Sequence, residues 1–69
     1  MRTEYKLVKF EKDSNGGGWQ CWNKGKVRLC LGWVYYDLIR REYLFHSNIS
    51  VNSTQLVSIS QFIDQLSLM

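Results

Sequence analysis

Proline is absent from the chain, histidine occurs once and cysteine twice. Without proline there is no polyproline linker and no cis-proline turn. Long apolar runs are missing as well. No stretch approaches the ~18–20 apolar residues of a membrane span. The opening residues, Met1-Arg2-Thr3-Glu4-Tyr5-Lys6, contain no apolar h-region. No secretory signal is therefore expected, and the expected location is the cytoplasm. Cys21 and Cys30 are expected to stay reduced there. On that reading the sequons Asn48-Ile49-Ser50 and Asn52-Ser53-Thr54 are chance matches.

These scarcities limit the chemistry. A metal site needs about four ligands, and Cys21, Cys30 and His46 show neither C-x-x-C nor H-x-x-H spacing. A nucleophilic Ser or Cys needs a base beside it, yet His46 is the only histidine and no G-x-S-x-G elbow occurs. No two acids fall on one expected face in apolar surroundings, as paired-carboxylate catalysis requires. Gly16-Gly17-Gly18 leads into Trp19 and a strand, so it reads as a hairpin loop; phosphate loops lead into a helix N-terminus. The chain has 69 residues. A domain of that size buries about 60% of the surface its unfolded chain exposes, which leaves little room for a deep cleft. The expectation is a non-enzymatic domain with no cofactor, no metal and no small-molecule substrate.

What is present is a globular composition, 45% hydrophobic, 14% aromatic and 22% charged. The net charge is +3, and all nine Lys and Arg lie within residues 1–41. Tyr5-Lys6-Leu7-Val8-Lys9-Phe10-Glu11 carries strand-forming residues, with the first strand expected over 4–11. Lys12 to Gly18 is loop chemistry. Trp19-Gln20-Cys21-Trp22 is a second short strand, expected over 19–23. Asn23-Lys24-Gly25-Lys26 reads as a hairpin turn. The third strand is expected over 27–36 and the fourth over 41–46, with Tyr43 and Phe45 as its inward pair. Leu56, Ile59, Phe62, Ile63 and Leu66 then recur at helical spacing. Asn52 and Gln55 stand at capping-box distance, so a helix is expected over 53–66. The fold class is α+β: a four-stranded antiparallel meander with one C-terminal helix packed on one face, in a single domain.

A three-residue turn over Lys24 to Lys26 pairs Cys21 with Leu29 and Trp19 with Leu31. Trp19, Cys21, Val27, Leu29 and Leu31 then share the core face, while Cys30 faces the other way. Opposite faces cannot form a disulfide, so two free thiols are expected. Gly32 suggests a bulge, which reverses the side-chain phase after it. Either Trp33 and Tyr35 or Val34 and Tyr36 then point inward, and the reversal favours Val34 and Tyr36.

One helix covers one sheet face. The other face is expected to carry Gln20, Trp22, Arg28, Cys30, Glu42, Leu44 and His46, together with the outward pair after Gly32. Such a patch suits a protein interface, because Trp, Tyr and Arg are enriched in binding hot spots. The candidate contacts are Trp22, Arg28, Cys30, Tyr36 and Leu44. The helix's outer positions, Gln55, Ser58, Gln61, Asp64 and Gln65, carry a single charge, a second hint of a contact surface. An alternative is single-stranded nucleic acid, stacked and neutralised by Trp22, Tyr35, Lys24, Lys26 and Arg28.

The segments Tyr5–Glu11, Trp19–Trp22, Leu31–Tyr36, Arg41–Phe45 and Leu56–Leu66 together resemble small uncharacterised proteins encoded by bacteriophages and prophages. The resemblance spans nearly the whole chain and brings no catalytic residues. It implies a context, that of small accessory binders which redirect or inhibit a host factor. The expected partner is a protein or a second copy of the chain as a homodimer. Nucleic acid is the lesser expectation, and no membrane partner is expected.

Overall fold

The computed structural model describes residues 1–69. Four strands, β1 (Val8–Lys12), β2 (Trp19–Asn23), β3 (Cys30–Asp37) and β4 (Glu42–Ser47), precede one helix, α1 (Ser53–Ser67). The strands form one open antiparallel sheet in the order β1-β2-β3-β4. This is the ββββα α+β arrangement that the patterning predicts. The core is small. Tyr5, Val8, Phe10, Cys21, Leu31, Val34, Ile59, Phe62 and Leu66 form it, and Leu7, Trp19, Tyr43, Phe45, Val51 and Ile63 pack around it.

The helix begins as its sequence dictates. The Asn52 side chain accepts from the Gln55 N–H at 2.8 Å, and the Gln55 side chain accepts from the Asn52 N–H at 2.8 Å. Both halves of the capping box are therefore closed, satisfying two of the N–H groups that a helix start leaves unpaired. The buried stripe is Ile59, Phe62 and Leu66. Leu56 belongs to the expected stripe but is exposed; the helix meets the sheet only from its second turn onward. Phe62 lies flat on Phe10, with ring centroids 3.9 Å apart, and meets Trp19 edge-on at 5.3 Å. Full burial of a Phe contributes roughly 1.5–3 kcal/mol, so this stack is a main anchor of helix to sheet.

Two segments depart from the expected layout. The first strand starts at Val8, whereas the composition of residues 4–7 suggests an earlier start. Thr3 to Leu7 instead turn back on β1: the Tyr5 N–H donates to Val8 O at 2.9 Å and the Phe10 N–H to Thr3 O at 2.8 Å. Glu4 bridges Lys9, which shields part of the free edge of β1. The turn also puts Tyr5 into the core.

The second departure is the β2–β3 connection. It runs from Lys24 to Leu29, and the expected three-residue turn does not form. Asn23 organises the longer loop. Its amide donates to Val27 O at 2.9 Å, its carbonyl oxygen accepts from the Gly25 N–H, and its own N–H donates to Leu29 O at 3.0 Å. Cys21 consequently pairs with Gly32, and Trp19 with Val34. Val27 and Leu29, expected inside, are exposed at 64% and 44%. Leu31 is buried as expected, and Tyr5 supplies core apolar surface in place of Val27 and Leu29.

A register shift lies where Trp22 faces Cys30 and Cys21 faces Gly32, leaving Leu31 as the extra residue. Leu31 and Val34 are both buried although they stand an odd number of positions apart. The phase reversal at Gly32 is thus present. Gly32 has φ +154°, and a Cβ there would overlap the His46 carbonyl oxygen and lie 2.9 Å from Ser47 Cα. Only glycine lets β4 approach this closely.

Candidate sheet-face interface

The bulge decides the composition of the face turned away from α1. Strand pairing places Glu11, Gln20, Trp33 and His46 in one row across all four strands. Lys9, Trp22 and Cys30 form a second row, and Tyr35 with Leu44 a third. Trp22, Cys30 and Leu44 therefore share this face, as the alternation predicts. Arg28 joins them from the β2–β3 loop. Tyr36, the remaining candidate contact, does not. It pairs with Tyr43, ring centroids 5.0 Å apart, on the side that carries Val34 and Phe45. The reversal that turns Val34 inward turns Tyr36 to that side too. Tyr36 is nevertheless exposed, because it lies near the end of the sheet.

The face has two unlike halves. Over β1 and β2 it is a closed polar mat. The Arg28 guanidinium lies 4.2 Å from the Trp22 ring centroid and pairs with Glu11 at 2.9 Å. Glu11 also pairs with Lys9 at 3.2 Å, and Trp22 Nε1 donates to Gln20 Oε1 at 3.3 Å. Exposed pairs of this kind contribute only about 0–1 kcal/mol each. Their effect is to keep Trp22 covered and Arg28 engaged.

Over β3 and β4 the face has an aromatic and apolar centre, bounded by the Asp37–Glu42 pair at the hairpin end. Trp33 is 40% exposed and stacks on His46, with centroids 4.6 Å apart. Tyr35 and Leu44, both half-buried, continue the patch along the strands. Cys30 sits between the halves, where its thiol donates to Gly32 O at 3.5 Å. Trp33 and His46 are the residues the candidate set omits. The signal for Trp33 is Gly32, whose phase reversal brings Val34 inward and puts Trp33 outward; the signal for His46 is its alternation with Leu44 along the fourth strand, which places it on the expected face. β4 is the edge of the sheet, so this apolar half ends at a strand with a neighbour on one side only.

The cysteines lie on opposite sides of the sheet, and both are free thiols. Burial pushes the Cys21 thiol up to about 12, and neighbouring Cys30 adds to the effect. No three His, Cys, Asp or Glu side chains come together as a metal-ligating group. No helix is long and apolar enough to cross a membrane.

Of the cations of the nucleic-acid alternative, Lys24 and Arg28 line one surface hollow with Lys9, but both are engaged by acids. Lys24 Nζ bonds Glu4 Oε2 at 3.0 Å and Tyr5 O at 2.9 Å. That hydrogen bond and charge hold the Glu4 carboxyl below its usual range. Arg28 is paired as described, and Lys26 lies exposed in the loop. Tyr35 and Trp22 share the outer face, but Arg28 covers the Trp22 ring. Comparison with protein-family models, with curated proteins and with solved structures gives no match to this chain.

Proposed function

We infer that the chain is a small non-enzymatic protein–protein interaction module whose docking surface is the sheet face opposite α1. One observation carries this reading: the exposed Trp33–His46 stack, continuous with Tyr35 and Leu44, on a face that the single helix leaves uncovered. Trp and Tyr dominate binding hot spots because a large rigid ring loses little entropy for the area it buries. Trp33 is the centre of the surface, with Trp22, Cys30 and Arg28 at its rim. The partner is a second copy of the chain or a protein of the host cytoplasm. The resemblance to phage-encoded proteins supports the latter context.

Single-stranded nucleic acid is the weaker reading. Its stacking residues are present, but Lys24 and Arg28 are engaged with Glu4 and Glu11. Sedimentation velocity over a wide concentration range tests self-association. The expected result is a concentration-dependent mass that Trp33→Ser shifts toward the monomer; a dimer insensitive to Trp33→Ser places the contact elsewhere. A parallel oligonucleotide titration at low salt separates the two readings, because counterion release makes nucleic-acid binding fall steeply with salt. Tight, salt-sensitive oligonucleotide binding would favour the alternative.

A further inference from the structure

The sheet closes one of its edges and leaves the other open. On β1, Val8 O accepts from the Tyr5 N–H at 2.9 Å, and the Phe10 N–H donates to Thr3 O at 2.8 Å. With the Glu4–Lys9 bridge, the chain itself thus covers the middle of that edge. β4 has no such cover. The Asn48 N–H donates to Leu31 O at 2.8 Å. Combined with the β3–β4 register, this makes Glu42, Leu44 and His46 the residues that exchange hydrogen bonds with β3. Tyr43 and Phe45 therefore turn their N–H and C=O groups to the open edge, and no other segment bonds them.

β4 also lacks the devices that keep an edge unpaired. It contains neither Lys nor Pro, and its 6 residues pair with β3 without a bulge. A second copy of β4 fits this edge. Among antiparallel registers that join the outward groups, one sets Tyr43 against the partner's Phe45. The same register puts Glu42 opposite the partner's His46, and Leu44 opposite the partner's Leu44 on the two-fold axis. Carboxylate then meets imidazole, aromatic meets aromatic and leucine meets leucine, each on the face where it already lies. A register centred on Phe45 instead sets Leu44 against the partner's His46 and loses these matches. Because β1 is closed, copies cannot add head to tail, and the pairing stops at a dimer.

We propose that β4 is a homodimerisation edge, along which two copies pair antiparallel about an axis at Leu44 to form one continuous sheet. The inference rests on the edge and does not require that the Trp33 face bind a partner. In the dimer the Trp33–His46 stacks of both copies lie on one continuous face. Trp33 supports His46 at the seam, so Trp33→Ser weakens the pairing as well. The paired edge is short, and the dimer is accordingly weak and reversible.

The test is amide hydrogen exchange, read by NMR on the full chain over a wide concentration range, with sedimentation on the same samples. The Tyr43 and Phe45 N–H groups should exchange rapidly in dilute protein and at least about tenfold more slowly as the dimer fills. Leu44→Lys sets like charges opposite one another across the axis and should weaken the dimer at least about tenfold. Leu44→Glu should do the same, and an equal mixture of the two variants should associate again. The exchange measurement needs no variant, so it decides even if these substitutions unfold the domain. A monomer at every concentration overturns the proposal. A dimer whose Tyr43 and Phe45 amides exchange as in dilute protein overturns it too, and places the contact on the Trp33 face. A mixture that associates no better than either variant alone refutes the axis at Leu44.

Discussion

Replacing Gly32 with alanine should strike the feature that makes the sheet two-sided. Gly32 sits at φ +154°, and an added Cβ would overlap the His46 carbonyl oxygen and approach Ser47 Cα and Phe45 Cζ to 2.9 Å. Two of these neighbours are β4 backbone atoms, which cannot retreat while β3 and β4 stay paired. An L-residue held in such a conformation costs about 1–3 kcal/mol. Overpacking of a fixed site costs about 1–3 kcal/mol more. Against this, a domain of this size has roughly 3–5 kcal/mol of net stability, and only 10 of 69 residues are buried here. Gly32→Ala should therefore leave the domain largely unfolded or lower its urea midpoint by about 2 M, taking a slope of about 1 kcal/mol per M. Urea titration followed by circular dichroism and tryptophan fluorescence measures this. Gly17→Ala is the control: nothing lies within 4 Å of its Cβ position and its φ is not positive. It should gain about 0.4–1 kcal/mol by restricting the unfolded chain. A Gly32→Ala protein within ~0.5 kcal/mol of the parent would refute both the bulge and the close approach of β4.

Asn52→Ala should lower stability by about 1 kcal/mol, because it removes the side-chain acceptor of the capping box; the shift of the urea midpoint reports it. The folded protein should expose one thiol to a bulky neutral-pH thiol reagent and the denatured protein two, since Cys21 is fully buried and Cys30 is not. Cys21 also sets an alkaline limit. Its folded thiol keeps its proton up to about 12, while the unfolded thiol loses it near 9.0. Above that lower value the unfolded state binds fewer protons, so stability should fall as pH rises from about 9 towards 12. Cys21→Ala should remove that component of the slope; identical pH profiles for the two proteins would contradict the assignment.

The strand order and the helix are legible because each rests on local signals. The capping box lies within four residues, and the Ile59–Phe62–Leu66 stripe repeats at helical spacing. The phase reversal is legible too, since a glycine inside a strand has few other uses. The register of β2 on β3 is not. Val27 and Leu29 look like core residues by alternation, but Asn23 closes a longer loop through its own amide, and Tyr5 arrives from a distant turn to fill the core. Whether a residue is displaced by one from elsewhere in the chain is a tertiary matter that alternation cannot express. The same applies to the candidate surface. Trp22, Cys30 and Leu44 follow from parity, whereas the covering of Trp22 by Arg28 depends on where the longer loop ends. Tyr36 departs because the reversal that exposes Trp33 moves it to the other face.

The central claim is that partners dock on the β3–β4 half of the sheet face opposite α1. A photo-crosslinking phenylalanine analogue placed at Tyr35, and separately at Ser60 on the exposed side of the helix, tests it most directly in cells that express the chain. Discrete protein adducts at position 35, of constant mass and lost when Trp33 is also changed to Ser, with none at position 60, are the predicted result. Equal adducts at both positions, or adducts at position 60 alone, would contradict it.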